Sequence, residues 1–123
     1  MLLAKNEILK TIKKGEIKIT PFNKNNVGPC SIDLCLGNRF RRFKNNKKMF
    51  LITENLKEND FSEEIILKKG DFLTIKSGEL VLGTTLEKIK LSDLVCGKLD
   101  GRSRFARIGL SIHNSSSLIQ PGV

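Results

Sequence analysis

The chain is 123 residues long, room for one small domain and hardly for two. Hydrophobic residues at 39% and charged residues at 28% fit a globular fold with a small core, and with no Trp or Tyr that core falls to Phe, Leu and Ile. A net charge of +9 points to anionic partners such as nucleotides, nucleic acid or an acidic surface; no apolar run is long enough to span a bilayer, and MLLAKNEILKTIKKGE lacks a signal peptide's unbroken apolar centre, so a cytoplasmic protein is expected.

Residues 2–14 predict one short helix, with Ile8, Leu9 and Ile12 at helical spacing and Gly15 as its stop. The period then changes to two. IKIT (17–20), SIDLCL (31–36), MFLIT (49–53), EIILK (64–68), FLTIK (72–76), ELVLGTTLEKIKL (79–91) and VCGKL (95–99) predict short strands. In SIDLCL, Ile32, Leu34 and Leu36 share one face and Ser31, Asp33 and Cys35 the other. Pro21, Gly28-Pro29, Gly37-Asn38, Lys69-Gly70-Asp71 and Ser77-Gly78 mark the turns between them. Many short strands at this spacing predict an all-β barrel or sandwich. The acidic stretch 54–63 reads as a surface loop, and the chain as a single domain over 1–123.

Cys30, Cys35 and Cys96 form no C-x-x-C pair and the chain has one His, a poor set for zinc; no metal site is assigned, and reduced, buried thiols are expected. RFRRFKNNKK (39–48) holds six cations interleaved with Phe40 and Phe43. It reads either as a nucleic-acid surface or as a hairpin turning at Asn45-Asn46 whose cations protect an edge strand; the hairpin is preferred and nucleic acid is not expected as a partner. Asp33 and Glu87 are acids among apolar residues, able to serve catalysis if buried, or to sit on a wet face or pair with a cation. His113, in the apparent strand LSIH, has no evident Ser-His-Asp partners and reads as a structural hydrogen-bonding group.

The densest chemistry lies in DGRSRFARIGLSIHNSSSLIQPGV (100–123). Gly101 allows an unusual backbone angle or a close approach, and Arg102 and Ser103 follow at once. One helical turn would bring Arg107 to the same side as Ser103. Guanidinium forks and free amides suit a phosphate clamp; a capped surface turn with solvated arginines is the alternative. Arg104 is either a third phosphate contact or a residue at a subunit boundary.

Taken in order, MLLAKNEI, ITPFNKNNVGPCSIDLCLGNRF, GELVLGTTLEKIKL, LDGRSRFARIGLSIHNSS and IQPG resemble the dCTP deaminases of the trimeric dUTPase-like superfamily. The matching pieces cover most of the chain, least at 44–70. The resemblance implies a mainly β fold, a distorted dUTPase-like β-barrel of the β-clip type with a short N-terminal helix and a short helix near 102–107, assembled as a homotrimer with sites at subunit interfaces. It implies a hydrolase that converts dCTP and water to dUTP and ammonia, feeding dUMP and dTTP synthesis. No zinc is implied, in contrast to the zinc deaminases; Mg²⁺ comes with the triphosphate, and nucleotides of the dCTP, dUTP and dTTP type are the expected ligands.

By the same resemblance, Arg102, Ser103, Arg104, Phe105, Ala106 and Arg107 form the nucleotide-binding segment. Arg102 and Ser103 match phosphate-side contacts. Ser103 and Arg107 match the pair that supports the base and the attacking water, while Asn114, Ser115 and Ser116 match the stretch against the base. Gln120 stands where many relatives place an aspartate that contacts the deoxyribose 3′-hydroxyl; its amide can still bond a hydroxyl, but it is not a base. Arg104 replaces a small polar residue common in the family. The family's general acid/base, a glutamate in a Leu-Glu strand after Pro-Gly, falls past Val123, so the chain is expected to be a truncated domain, inactive alone. A bifunctional deaminase and dUTP diphosphatase, and a non-catalytic nucleotide-binding module, are the alternatives.

Overall fold

A computed structural model describes residues 1–44, 53–112 and 116–123. The expected turn at Asn45-Asn46, most of the strand expected at 49–53, and His113, Asn114 and Ser115 lie outside the described residues. The described residues are mainly β, with short helices and antiparallel sheets, in keeping with the expected dUTPase-like class. Their hydrogen-bonded strands fall into three sheets, and the chain divides into two compact units, Met1–Asp33 with Glu87–Val123, and Leu34–Leu86.

In the first unit, helix α1 spans Lys5–Lys13. Glu7 in its first turn and Lys10 and Lys13 in its last complement the helix dipole, and Lys10 pairs with Glu7 at 2.7 Å. Its inward face is Ile8 and Thr11, with Leu9 and Ile12 half-buried; the Thr11 hydroxyl donates to the Glu7 carbonyl at 2.6 Å, so its burial leaves no lost hydrogen bond. Gly15, at φ 78°, closes the helix: its N–H donates to the Ile12 carbonyl and that of Glu16 to the Thr11 carbonyl.

Strand β1 (Ile17–Thr20) pairs antiparallel with β2 (Lys88–Leu91), Ile17 opposite Leu91 and Thr20 opposite Lys88. Ile17 and Leu91 are both buried. A 3₁₀ turn at Lys24–Asn26, begun by the Asn23 side chain accepting from the Asn25 amide, leads to Val27, at 2% exposure the most enclosed side chain described. Val27 bridges Ile32, and the Gly28 amide donates to the Ser31 carbonyl, so residues 27–32 form a tight return rather than the first half of a long strand. A short ribbon, β3 (Gly97–Lys98) with β4 (Leu118–Ile119), completes this unit's strands among the described residues.

In the second unit, β5 (Leu36–Phe43) lies between β6 (Ser62–Ile66) and β7 (Val81–Thr85), antiparallel to both. The arginine-rich segment is therefore a central strand, which corrects the edge-strand reading of 39–48. Its cations are matched instead: Arg39 lies 4.0 Å from Glu64, Arg41 3.7 Å from Glu58, and Arg42 2.6 Å from Glu79. Phe40 is buried, and Phe43 stacks on Phe61 with ring centroids 6.0 Å apart.

Three further expectations are corrected. FLTIK (72–76) is not a strand: Phe72 is 92% exposed, and the segment is anchored by turns in which Asp71 and Glu79 accept from the amides of Lys68 and Lys76. The long strand expected over 79–91 bends at Leu86 and Glu87 and divides between the two units, with Glu87 buried at the bend. The cysteines are exposed rather than buried, because the alternation expected in SIDLCL gives way to the 27–32 return before β5 begins at Leu36.

Candidate functional site

The arginine segment belongs to the first unit. The ribbon β3–β4 delivers the chain to it: Gly97 faces Ile119, Lys98 faces Leu118, and the Leu99 amide donates to the Ser117 carbonyl at 2.7 Å. Ser116 precedes that bond by one residue, and Gln120 follows β4 at its other end, about 13 Å along the chain from Ser116 at a strand rise near 3.3 Å per residue.

The Asp100 carboxylate accepts from the Gly101 amide at 2.8 Å, a local turn that starts the segment. A Cβ on Gly101 would stand 3.3 Å from the Cβ of Ile112. The small residue is thus favoured by close packing of the returning chain, and its backbone is not left-handed.

A short helix, α2 (Ser103–Ala106), follows, with Arg102 at its N-cap and Arg107 at its C-cap. The Arg107 amide donates to the Ser103 carbonyl at 3.0 Å, so one turn places both residues on the same side, as their spacing predicts. The turn is closed by a Schellman arrangement: Gly109 N–H donates to the Ala106 carbonyl and Leu110 N–H to the Phe105 carbonyl, each at 3.0 Å. Gly109 sits at φ 86°, where a side chain is strained. A-R-I-G-L is the sequence of this closure, and it holds Arg107 inside a ring of backbone hydrogen bonds. Leu110–Ile112 continue without strand pairing, contrary to the strand expected at LSIH.

All residues from Arg102 to Leu110 are exposed, as are Ser116 and Gln120. Arg102, Arg104 and Arg107 thus present three cations within six positions on an open surface. Arg102 has a carboxylate beside it: its Nη1 lies 3.5 Å from Oδ2 of Asp33, an acid whose cation partner, 69 positions away, is not visible in local sequence. Gly109 was likewise not singled out, although Gly after a helical stretch is a legible stop signal. No group of three His, Cys, Asp or Glu side chains stands close enough to hold a metal ion among the described residues. No helix among them is long and apolar enough to cross a membrane.

The described residues define a mainly β domain that presents an exposed arginine segment, and comparison with known proteins resolves its family. The family model for dCTP deaminase-like proteins matches residues 2–123, and the chain belongs to that family. It is 34% identical over 125 residues to a dCTP deaminase of Thermomicrobium roseum, covering 99% of this chain and 64% of the relative. It is 36% identical over 122 residues to a dUMP-forming dCTP deaminase of Corynebacterium kroppenstedtii, covering 99% of this chain and 65% of the relative. A dCTP deaminase of Marinomonas sp. is 40% identical over 130 residues, covering 99% and 67% respectively. The chain spans about two thirds of the length of these relatives.

Proposed function

We propose that this chain carries the nucleotide-binding part of a dCTP deaminase, in which water replaces the 4-amino group of the cytosine ring. The observation that carries the reading is the closed turn at 103–110, which sets Ser103 and Arg107 side by side with Arg102 at its entrance, in a chain of the dCTP deaminase-like family. Arg102 and Ser103 take the phosphate side. Mg²⁺ enters as part of the substrate, on the phosphate oxygens. Phe105 and Ala106 hold the turn between the two contacts, Arg104 adds a cation beside the phosphates, and Asn114, Ser115 and Ser116 lie against the base. Gln120 donates or accepts at the deoxyribose 3′-hydroxyl, reached from another subunit of a homotrimer.

In the reaction, water oxygen bonds to C4 while one of its protons passes to ring N3; its second proton passes to the exocyclic nitrogen, the C4–N4 bond breaks, ammonia leaves, and the oxygen remains on C4 as a carbonyl. Charge builds on the ring as water adds. A fixed guanidinium and hydroxyl at Arg107 and Ser103 would stabilise it and orient the water without reorganising. The proton transfers are assigned to the glutamate that the family resemblance places after the Pro-Gly turn. An exposed apolar side chain in the turn, Ile108 at 78%, is in keeping with burial between subunits.

The test is to incubate the full-length protein with Mg·dCTP and follow ammonia release enzymatically and nucleotides by ion-exchange chromatography. Ammonia and dUTP in equal amounts support the reading; no ammonia overturns it. A second reading, deamination followed by cleavage to dUMP, is favoured by the dUMP-forming relatives of Corynebacterium and Mycolicibacterium. It is distinguished by dUMP and pyrophosphate as products.

A further inference from the structure

Asp33 is placed with more care than a solvated acid requires. Its amide donates to the Asn26 carbonyl at 2.8 Å, at the end of the 27–32 return. That return is anchored by the buried Val27, by the Val27–Ile32 bridge and by the Gly28–Ser31 hydrogen bond. The Pro29 carbonyl also accepts from the Lys5 amide at the start of α1, at 2.7 Å. The backbone bearing the carboxylate is therefore tied at several points, and the carboxylate faces Arg102, which projects from the N-cap of α2.

We propose that Asp33 is a positioning residue for Arg102: it holds one side of the guanidinium so that the other is aimed at the nucleotide phosphates. The proposal rests on the reading of Arg102 as a phosphate contact. What favours it over a bystander ion pair is the anchored backbone that fixes where the Asp33 carboxylate stands. Both side chains are substantially exposed, at 62% and 45%, so the pair contributes little to stability, and a contact of 3.5 Å at Nη1 leaves the rest of the five-donor fork open to a ligand. A free arginine loses rotamer entropy when it binds; one already restrained loses less, and affinity rises by that difference.

The test measures Kd by calorimetry on the full-length protein, with Mg·dCTP and with Mg·tripolyphosphate as probes, for wild type, Asp33→Asn, Asp33→Glu, Arg102→Ala and the Asp33→Asn/Arg102→Ala double variant. Asp33→Asn should weaken both probes by a similar factor, about 5–10-fold, and Asp33→Glu should recover most of it. In the Arg102→Ala background Asp33→Asn should add less than about 2-fold, because the residue it positions is gone. The proposal is overturned if the two losses multiply, if Asp33→Asn tightens binding, or if it weakens dCTP but not tripolyphosphate. If Arg102→Ala binds both probes as wild type does, the phosphate reading of Arg102 falls and the proposal with it. If Arg102→Ala weakens binding and Asp33→Asn does not, only the positioning role falls.

Discussion

Arg107 and Ser103 are distinguished from their neighbours by what holds them. Arg107 caps a turn whose backbone bonds run from Ser103 to Leu110, which fixes where its side chain leaves the chain. In the proposed role of stabilising charge on the ring, its removal should cost the reaction more than it costs binding. Arg107→Ala is expected to lower kcat by roughly 10²–10³-fold with a smaller change in KM, measured by steady-state ammonia release. Glu79 makes a separate prediction in the second unit. Its carboxyl is held below its usual value of 4.5, chiefly by the Lys76 amide and further by Arg42, against partial burial. A depressed folded-state value means the contribution is complete above about 4.5 and is lost as pH falls through the lower folded value. Glu79→Gln should thus melt at a lower temperature at pH 7, and the gap from wild type should shrink as the pH is taken below 4.5.

At the scale of elements, two glycines govern where the site residues stand. Gly109 occupies a left-handed conformation that the Schellman closure of α2 requires. Gly109→Ala should cost about 1–2 kcal/mol if the turn persists, read as a drop in denaturant midpoint. Opening of the turn instead would appear as lost dCTP affinity with little loss of stability. Gly122, at φ 78°, faces a different constraint: a Cβ there would lie 2.6 Å from the Asp93 carboxylate oxygen. Its amide and the Val123 carbonyl bond to the Ser92 carbonyl and Leu91 amide, tying the end of the ribbon to β2. Gly122→Ala should destabilise, and Asp93→Ala should relieve part but not all of the loss in thermal melts, because the backbone strain remains.

Across the molecule, the first unit's buried apolar side chains are few among the described residues: Ile8, Ile17, Val27 and Leu91. A core so limited makes each of them matter. Val27→Ala should lower stability by about 2 kcal/mol, read by chemical denaturation. It should also disturb Asp33 and hence nucleotide binding, since the same return carries both.

Much of this protein was legible in order along the chain. Helix α1 with its Gly15 stop, the strand IKIT, and the helical turn near 102–107 depend on neighbours within a few residues, so periodicity and turn chemistry suffice to find them. The Ser103–Arg107 spacing and the block GRSRFARIGL likewise carried the helical turn and the family resemblance. The central placement of the arginine-rich strand was not legible, because an alternating cationic strand looks the same at an edge as between two partners; only the backbone pairing of both its edges, with β6 and β7, decides it. FLTIK satisfies a strand's pattern but finds no strand to pair with among the described residues, and propensity yields to that. The pairing of Asp33 with Arg102 and the contact of Gly101 with Ile112 join residues that sequence distance keeps apart. The sequence by itself determined the class of fold and the family, because these rest on local pattern and on residue type. The tertiary structure alone decided which charges neutralise one another and which carboxylate stands beside Arg102, because charges interact through space and not along the chain.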